Sequence, residues 1–339
     1  MRVAVIGAGS WGTALARLAA AEAEVRLWAR EPEVVAAVQT TGENSLFLPG
    51  HPLPAGVLCT SDLAQALSGA DLVLMAVPSH GFRAVLRSAA PHLAPAATVV
   101  SVTKGIEQGT LRRMTEIVFE EAGGDSGRVG VLTGPNLARE IADGQPAATV
   151  VAMADEARAR AVQGLLMGPT LRVYTSPDVV GCESAGALKN VMAIAAGMAH
   201  GLGYGDNSTA ALMTRGLAEL TRLGVALGGR PLTFAGLAGM GDLVATCISP
   251  HSRNRRVGVA LARGQRLEEI VADMKMVAEG VKTTEAVLEL AERHSIEMPI
   301  AAMVGAVLYE RRSPADMVAG LMGRPAKAEL HGIDSPGGA

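Results

Sequence analysis

One lysine in this sequence lies where its charge has no obvious partner. Lys189 falls in an apolar stretch, 184–200, that reads SAGALKNVMAIAAGMAH and predicts a helix. Its neighbours three and four positions away carry no charge; they are Ala185, Gly186, Met192 and Ala193. Such a lysine either extends to water or is held in an apolar site, where it can act as an acid or a base. Asn190 places a second polar group beside it.

A group of arginines could bind an anion. Residues 249–256 read SPHSRNRR, and Ser252 is a plausible N-cap for the helix that follows. Three arginines then fall in the first helical turn, where the helix dipole disfavours cations. A bound anion would relieve that conflict, so Arg253 and Asn254 are predicted phosphate ligands. The alternative is that these arginines are solvated and pair with acids elsewhere.

A third candidate is Asp242, in the glycine-rich stretch GLAGMGDL at 236–243. The sequence predicts a loop here. In such a loop Asp242 either binds a ligand or caps a helix that starts at Leu243.

The spacing of three glycines predicts a phosphate-binding turn. A β-branched run at 3–6 predicts a strand, a glycine turn follows, and a helix at 13–21 and a second strand at 25–29 come next. Gly7, Gly9 and Gly12 have the spacing G-x-G-x-x-G. Gly7 permits the tight turn, Gly9 lets a pyrophosphate approach the backbone, and Gly12 lets the helix pack on the strand. A dinucleotide would place its phosphates at the helix N-terminus.

The residue after the second predicted strand bears on the choice of dinucleotide. Enzymes selective for NAD usually place Asp or Glu there, to bind the ribose 2′-hydroxyl. This chain has Arg30, followed by Glu31. A guanidinium suits a 2′-phosphate, so we hypothesise that NADP(H) is accepted, with a solvated surface arginine as the alternative.

Strands and helices alternate in the first half, which predicts a doubly wound parallel sheet. Loops that follow parallel strands meet at one edge of the sheet, where ligands bind. Four loops are predicted to meet there: the glycine turn, Pro78-Ser79, the loop starting at Lys104, and 134–136. At that edge Lys104 either serves a phosphate or carbonyl group or is solvated.

Beyond Gly181 only helices are predicted, so we expect a dinucleotide-binding domain at 1–181, a helical substrate domain at 182–330 and a disordered tail at 331–339. The most apolar helical stretch, 191–198, is too short to span a bilayer. A net charge of −3 gives no electrostatic case for nucleic acid or an anionic membrane. Three widely spaced cysteines argue against disulfides and metal sites and favour a cytoplasmic protein.

At this point the chain resembles the bacterial NAD(P)-dependent glycerol-3-phosphate dehydrogenase family. The matching stretches run in order through nearly the whole chain: GAGSWGTALA (7–16), AVPSH (76–80), KGIE (104–107), GPNLARE (134–140), GALKNVMAIAAG (186–197), GLGYGDN (201–207), TRGLAELTRLGVALGG (214–229), GLAGMGDLVATC (236–247), SRNRR (252–256) and VAEGVKT (277–283).

The resemblance implies an N-terminal Rossmann domain and an all-α C-terminal domain like that of 6-phosphogluconate dehydrogenase. It implies reversible reduction of dihydroxyacetone phosphate to sn-glycerol 3-phosphate with NADP(H) or NAD(H), in support of phospholipid biosynthesis. Lys189 would be the general acid/base, and a homodimer is possible.

The resemblance also implies two sets of binding residues. The substrate set is Lys104, Gly134, Asn136, Lys189, Asp242, Ser252, Arg253 and Asn254. The cofactor set is Gly7, Gly9, Ser10, Trp11, Gly12, Arg30, Lys104, Ala138, Arg253, Val277 and Glu279. Where the family commonly reads GPSFA, this chain has Asn136 in place of the serine, so an amide replaces a hydroxyl.

Two other functions stay open. One is a related two-domain dehydrogenase of hydroxy acids such as 3-hydroxyisobutyrate; those enzymes commonly carry Asn four residues after the lysine, where this chain has Ala193. The other is a non-catalytic NADP(H) sensor, against which Lys189 and the 252–254 anion site argue.

Overall fold

The chain forms two compact units in the computed structural model, which describes residues 1–274 and 278–329. The first unit comprises Met1–Lys104 and Arg112–Val179, and the second comprises Gly105–Leu111 and the described residues from Val180 onward. The domain limits drawn from the sequence stay predictions, and the tail expected at 331–339 lies outside the described residues.

The first unit is built on a mixed sheet, with eight strands in its described residues. They are β1 Arg2–Ile6, β2 Glu24–Trp28, β3 Leu58–Thr60, β4 Leu72–Met75, β5 Thr98–Ser101, β6 Val129–Thr133, β7 Ala147–Met153 and β8 Leu171–Ser176. Their order is β3-β2-β1-β4-β5-β6-β7-β8. Neighbours are parallel throughout except for the pair β6 and β7, which is antiparallel.

Both faces of this sheet are covered. In β1, Val3 and Val5 join one apolar cluster, while Ala4 and Ile6 join another. Successive side chains of a strand point to opposite faces, so a strand covered on both sides needs apolar residues at every position. The covering helices are α1 Ser10–Ala19, α2 Pro32–Thr41, α3 Leu63–Leu67, α4 Ser79–Ala89, α5 Met114–Ala122, α6 Ala138–Ala142 and α7 Glu156–Leu166.

Two details of the first unit differ from the sequence predictions. The sequence predicts a strand at 147–154, and β7 lies there, but its antiparallel pairing with β6 was not predicted. The preceding helix α6 has five residues, too few to show a helical period. The sequence also predicts a helix at 111–122, but the helix begins at Met114. Leu111 has φ +59°, outside the helical region, and the Glu116 carboxylate accepts the Arg113 N–H (2.8 Å) and caps the helix there.

The second unit is helical in its described residues. Its elements are α8 Val179–Gly201, α9 Asp206–Ala226, α10 Pro231–Ala235, a π-helical turn Leu237–Gly241, α11 Asp242–Ile248, α12 Arg253–Ala262, α13 Leu267–Asp273, α14 Glu279–Arg293, α15 Pro299–Glu310 and α16 Pro314–Met322. The helical character expected beyond Gly181 is therefore confirmed for these residues.

Helix α8 forms the centre of this unit. It is buried continuously from Gly181 to Ala199, and apart from a few buried polar residues such as Lys189 and Asn190 it is apolar on all sides. With 23 residues it is longer than the sequence predicted, and by length and composition alone it could cross a membrane. The expectation that this stretch is too short was wrong. Burial in the core of the unit accounts for its apolar composition.

Glycines let two other helices approach α8 closely. A Cβ on Gly258 of α12 would lie 2.0 Å from the Ile194 carbonyl oxygen, and one on Gly197 would lie 2.1 Å from the Arg255 oxygen. On α14, a Cβ at Gly280 would lie 2.7 Å from the Asn190 oxygen. Only glycine permits such backbone approaches. They bring the starts of α12 and α14 against the part of α8 that carries Lys189 and Asn190.

Candidate active site

The glycine turn of the first unit is tightly packed at two of its three glycines. Gly7 has φ +115°, and a Cβ there would lie 2.7 Å from the Ala76 oxygen. A Cβ on Gly12 would lie 1.9 Å from the Gly7 oxygen. A Cβ on Gly9, by contrast, would meet no atom within 4 Å. The first and last glycines are therefore needed for packing, while the middle one leaves the backbone open to a ligand.

The loops at the carboxyl edge of the sheet lie side by side. Strands β1, β4, β5 and β6 are adjacent and parallel, so the loops after them follow one another along that edge, as predicted. Two side chains join these loops. Lys104 Nζ donates to the Gly134 carbonyl (2.8 Å), and Thr103 Oγ1 donates to the Val77 carbonyl (2.6 Å). Lys104 is half-buried by this contact and is not a freely solvated lysine.

Five buried polar atoms of the first unit have no hydrogen-bond partner among the described residues. Two are Nε atoms of Arg26 and Arg128, and the other three are Trp11 Nε1, Thr133 Oγ1 and Asn136 Oδ1. Asn136 donates through Nδ2 to Thr149 Oγ1 (3.1 Å), which in turn donates to the Thr133 carbonyl (2.8 Å). Leaving such atoms unpaired costs about 1–3 kcal/mol each. A ligand that supplies partners would recover that energy, so Trp11 Nε1, Thr133 Oγ1 and Asn136 Oδ1 fit a binding role.

The other cofactor candidates of this unit occupy different positions. Ser10 Oγ donates to the Phe47 carbonyl (2.6 Å). Arg30 follows β2 with its side chain 78% exposed and pairs with Glu31 (2.7 Å). Ala138 is the first residue of α6. A 2′-phosphate at Arg30 would have to compete with the Glu31 carboxylate for the guanidinium.

In the second unit, Lys189 forms a buried ion pair. Its Nζ lies 2.7 Å from Asp242 Oδ1 and 2.5 Å from Thr246 Oγ1, and the Lys189 and Asp242 side chains are 6% and 2% exposed. Thr246 also donates to the Asp242 carbonyl (2.6 Å). Among the described residues these two bonds take two of the three ammonium protons, which leaves the third for a ligand.

This pair corrects two expectations. Lys189 does not extend to water, and its surroundings are not simply apolar, because Asp242 is 53 positions away in sequence and was beyond the reach of a local pattern. Asp242 is not in a loop, because it is the first residue of α11. Gly241 is the N-cap of that helix, so the Asp242 side chain does not cap it. The stretch 236–243 folds as a π-helical turn and a helix because Gly239 packs on Phe234, where a Cβ would lie 2.1 Å from the Phe234 oxygen.

The arginine cluster starts α12 as predicted. Ser252 is the N-cap, and its hydroxyl accepts the Arg255 N–H (3.3 Å). The Arg253 side chain is exposed by surface area, yet surrounding protein desolvates it enough to lower the guanidinium pKa, while the charge of Glu279 raises that pKa. A cation that is poorly solvated at a helix start is suited to an anionic ligand.

Asn254 is buried and its amide is engaged inside the unit. Nδ2 donates to Asn190 Oδ1 (2.9 Å), and Oδ1 accepts the Gly280 N–H (2.9 Å). Asn254 therefore joins α12 to α8 and to the start of α14. Glu279 is the first residue of α14, and Val277 lies outside the described residues.

Other reactive groups have less suitable surroundings. Cys59, Cys182 and Cys247 are buried free thiols. Burial raises the pKa of Cys247 to about 12, although the Lys189 charge lowers it in part, so this thiol is not a nucleophile near neutral pH. Within 1–274 and 278–329, no three His, Cys, Asp or Glu side chains are grouped so that they could hold a metal ion.

The sequence did not single out Thr246 or Asn44. Thr246 stands four residues after Asp242 and so shares its helix face, but this relation requires that α11 be recognised first. Asn44 is fully buried beside the glycine turn, in the stretch 40–54, for which the sequence predicts only a loop.

Comparisons with known proteins agree along the whole chain. A family model described as the N-terminus of NAD-dependent glycerol-3-phosphate dehydrogenase matches residues 2–159, and one described as its C-terminus matches residues 178–319. The chain is 52% identical to glycerol-3-phosphate dehydrogenase [NAD(P)+] 2 of Sphingopyxis alaskensis, over 98% of this chain and 99% of that protein. It is also 52% identical to glycerol-3-phosphate dehydrogenase [NAD(P)+] of Moorella thermoacetica, over 98% of each.

A solved structure agrees with the fold. The crystal structure of a glycerol-3-phosphate dehydrogenase from Coxiella burnetii superposes with a TM-score of 0.90 at 39% identity, covering 95% of this chain and 99% of that one. The similarity includes the sheet of the first unit and the helices of the second.

Proposed function

Because the chain belongs to the NAD-dependent glycerol-3-phosphate dehydrogenase family, we propose that it catalyses the reversible NAD(P)H-dependent reduction of dihydroxyacetone phosphate to sn-glycerol 3-phosphate. The observation that carries the proposal is the buried Lys189–Asp242 pair, which lies in the stretch matched by the C-terminal family model. One ammonium proton of Lys189 remains for a ligand oxygen.

The first unit is proposed to hold the dinucleotide. When bound, the nicotinamide ring supplies or accepts the hydride. Gly9 leaves the backbone open to the pyrophosphate at the start of α1, where the helix dipole favours anions. Around this turn we assign cofactor contacts to Gly7, Ser10, Trp11, Gly12, Arg30, Lys104 and Ala138. The unpaired Trp11 Nε1 and the half-buried Lys104 support this assignment.

In the second unit, Lys189 is proposed to move the proton at the substrate C2 oxygen. During reduction its ammonium gives a proton to the developing alkoxide, and during oxidation the amine takes that proton back. Asp242 stabilises the ammonium, and Thr246 fixes its direction. A positioned acid or base of this kind typically contributes about 10²–10⁴-fold in rate.

Arg253 and Ser252, at the start of α12, are proposed to bind the substrate phosphate. Charge-assisted bonds to a phosphate orient the substrate without taking part in the reaction. We also keep Lys104, Gly134, Asn136, Asp242 and Asn254 as substrate contacts, and Arg253, Val277 and Glu279 as cofactor contacts. For Asn254 the groups left for such a contact are the second N–H of its amide and the second lone pair of Oδ1, because the first N–H and one lone pair are already engaged.

The test is NADPH oxidation followed at 340 nm with dihydroxyacetone phosphate, beside unphosphorylated dihydroxyacetone. We expect fast turnover only with the phosphorylated substrate. Absence of turnover with both, in protein that binds NADPH, would refute the proposal.

The preference for NADPH is tested by Arg30→Asp. If Arg30 binds the 2′-phosphate, this variant lowers kcat/KM for NADPH far more than for NADH. If the ratio of kcat/KM for NADPH to kcat/KM for NADH is the same in the variant and in the parent, that role is excluded.

The physiological setting follows from the same activity. We propose a role in glycerophospholipid biosynthesis, which consumes sn-glycerol 3-phosphate, and a cytoplasmic location, which the free buried thiols support. We also propose a homodimer; Leu232 and Met322 are apolar side chains more than 80% exposed, and a dimer could cover such groups. Light scattering of the purified protein would test the oligomeric state.

A further inference from the structure

A single asparagine side chain connects the glycine turn to the loop after α2. Asn44 is fully buried. Its Nδ2 donates to the Ala8 carbonyl (2.7 Å) and to Thr13 Oγ1 (2.8 Å), and its Oδ1 accepts the Phe47 N–H (3.2 Å). Both protons of the amide nitrogen and one lone pair of the oxygen are therefore used within the first unit.

The bond to Ala8 fixes the direction of a backbone N–H. The peptide between Ala8 and Gly9 is planar and trans, so its C=O and N–H point in opposite directions. Because the Ala8 oxygen is held toward the buried Asn44 amide, the Gly9 N–H must point away from it. Gly9 has open space where a Cβ would lie. Asn44 thus determines how the backbone of the turn faces a ligand.

The same side chain holds the partner of Ser10. The Phe47 N–H binds Asn44 Oδ1, and the Leu48 N–H binds the Asn44 carbonyl (2.9 Å). The Phe47 carbonyl, in turn, accepts the Ser10 hydroxyl. Through this loop Asn44 also orients the first residue of α1.

We propose that Asn44 is a positioning residue for dinucleotide binding: it aims the Gly9 N–H at the pyrophosphate and fixes the start of α1 through the Phe47–Ser10 bond, without touching the ligand. The proposal rests on the proposed binding of the dinucleotide at the glycine turn. It makes Asn44 a determinant of affinity for any ligand with a pyrophosphate in that turn, and it assigns Asn44 no part in hydride or proton transfer.

The test compares three variants of the full chain. Asn44→Ala removes all three side-chain bonds. Thr13→Val keeps the shape of the side chain but removes the hydroxyl that binds Asn44 and that also donates to the Ala8 carbonyl (3.3 Å). Glu43→Ala is the matched control, because Glu43 Oε1 accepts the Gly50 N–H (2.8 Å) within the same loop and its recorded bond does not involve the glycine turn.

We expect Asn44→Ala to raise the dissociation constant of NADPH about 10-fold or more, because the Gly9 N–H is no longer held toward the pyrophosphate and its hydrogen bond to a charged group is weakened. Thr13→Val should raise it less, and Glu43→Ala by less than about two-fold. ADP-ribose, which keeps the pyrophosphate, should lose as much affinity as NADPH, whereas 2′,5′-ADP, which lacks it, should lose little. At saturating NADPH, kcat and the KM for dihydroxyacetone phosphate should stay within about two-fold of the parent.

Several outcomes would overturn the proposal. They are unchanged NADPH affinity in both Asn44→Ala and Thr13→Val, an equal loss in Glu43→Ala, or a loss for 2′,5′-ADP as large as that for NADPH. If Asn44→Ala does not fold, Thr13→Val and Glu43→Ala decide between these results. Gly9→Val tests separately the assumption that the dinucleotide binds at the glycine turn. If this variant binds NADPH normally, the dinucleotide is not at the turn, and the proposed placement fails independently of Asn44.

Discussion

Lys189 and Asp242 form a buried ion pair, which contributes to stability and, in the proposed mechanism, to activity. A buried pair of this kind gains little over apolar residues of the same size, but removing one partner strands a charge. The Thr246 hydroxyl adds a bond to the ammonium without adding charge. Substitutions at this pair therefore need to be judged by stability and by activity separately.

Lys189→Met is expected to lower kcat by at least 10²-fold, because the proton at the substrate oxygen loses its donor. It should also lower the free energy of unfolding by about 3–5 kcal/mol, because the Asp242 charge is left unpaired. Steady-state kinetics and denaturant unfolding measure the two effects. The double variant Lys189→Met, Asp242→Leu should recover stability but not activity. A near-normal kcat in folded Lys189→Met would contradict the acid/base role.

Asn136 offers a different residue-scale test, because its Oδ1 is buried without a partner in the described residues. Asn136→Ala removes this unpaired acceptor together with the bond from Nδ2 to Thr149 Oγ1. The two effects oppose each other, so we expect the free energy of unfolding to stay within about 1 kcal/mol of the parent. The KM for dihydroxyacetone phosphate should nevertheless rise about 10-fold if Oδ1 accepts a hydrogen bond from the substrate. An unchanged KM would show that the substrate does not use this oxygen.

For single residues, the sequence predicted the candidates for the site better than it predicted their ion-pair and hydrogen-bond partners. Lys189 and the cluster at 252–254 could be found because charges in an apolar or unfavourable helical setting are conspicuous in the sequence. The pairing of Lys189 with Asp242 could not, since helical spacing relates only residues three or four positions apart. The engagement of Asn254 with Asn190 and Gly280 depends in the same way on contacts distant in sequence.

Among the elements, the close crossing of α8 and α12 depends on glycine. Gly258→Ala would place a Cβ 2.0 Å from the Ile194 oxygen, which no rotamer change can relieve because the clash is with backbone. We expect a loss of at least 2 kcal/mol in unfolding free energy, measured by chemical denaturation. Gly164→Ala in α7 is the matched control: a Cβ there meets nothing within 4 Å, so stability should rise by about 0.5–1 kcal/mol. Equal effects of the two substitutions would argue against a tight crossing.

Helix α15 begins at a buried carboxylate that titrates near neutrality. Glu219 accepts the N–H groups of Ile300 (2.7 Å) and Ala301 (3.2 Å). Burial raises the pKa of Glu219 to about 7, from its usual value of 4.5, although these bonds and the charges of Arg222 and Arg324 lower it in part. The folded state therefore binds a proton more tightly than the unfolded state does.

The consequence is that the contribution of Glu219 to stability falls as pH rises from about 4.5 to about 7. The loss over this window is on the order of 2–3 kcal/mol. Denaturant unfolding at pH 5, 6 and 7.5 should show this dependence in the parent and its absence in Glu219→Gln. Glu310→Gln, at an exposed position on α15, should keep the parent dependence. An identical pH profile in parent and Glu219→Gln would exclude the effect.

The elements were predictable where they are long and periodic. The sequence predicts a strand at 71–77 and helices at 157–166 and 299–310. Strand β4, helix α7 and helix α15 lie close to these ranges, because their apolar patterns extend over enough residues to define a period. Elements of five to seven residues, such as α6, α10 and α11, are too short for that. The length of α8 was underestimated because a helix buried on all sides has no polar face to mark its course.

In the molecule as a whole, the two compact units are not two consecutive stretches of the chain. The segment Gly105–Leu111 follows β5 of the sheet but belongs to the helical unit. Ile106 and Leu111 are buried in the apolar cluster built around α8, and Gln108 Nε2 donates to Glu285 of α14 (2.7 Å). Leu111 adopts φ +59°, which costs about 1–3 kcal/mol in a residue other than glycine, and burial of its side chain offsets that cost.

A truncated chain of residues 1–179 therefore retains Ile106 and Leu111 without the helices that bury them. We expect this fragment to bind an apolar dye such as ANS and to aggregate more than the same fragment with Ile106→Ser and Leu111→Ser. Dye fluorescence and light scattering measure both properties. Equal behaviour of the two fragments would show that the segment finds other cover.

This arrangement also bears on how the protein is made. A ribosome delivers Gly105–Leu111 early, while α8, α14 and α15 are still to be translated. During synthesis the segment is therefore not yet in its final environment, and the side chains of Ile106 and Leu111 are accessible to chaperones or to neighbouring nascent chains. Once the last helices emerge, the segment packs against them. The N-terminal half of the polypeptide is then linked to the C-terminal half by side-chain packing as well as by the chain itself. Newly made chains that stop early cannot reach that state, so they remain recognisable as incomplete.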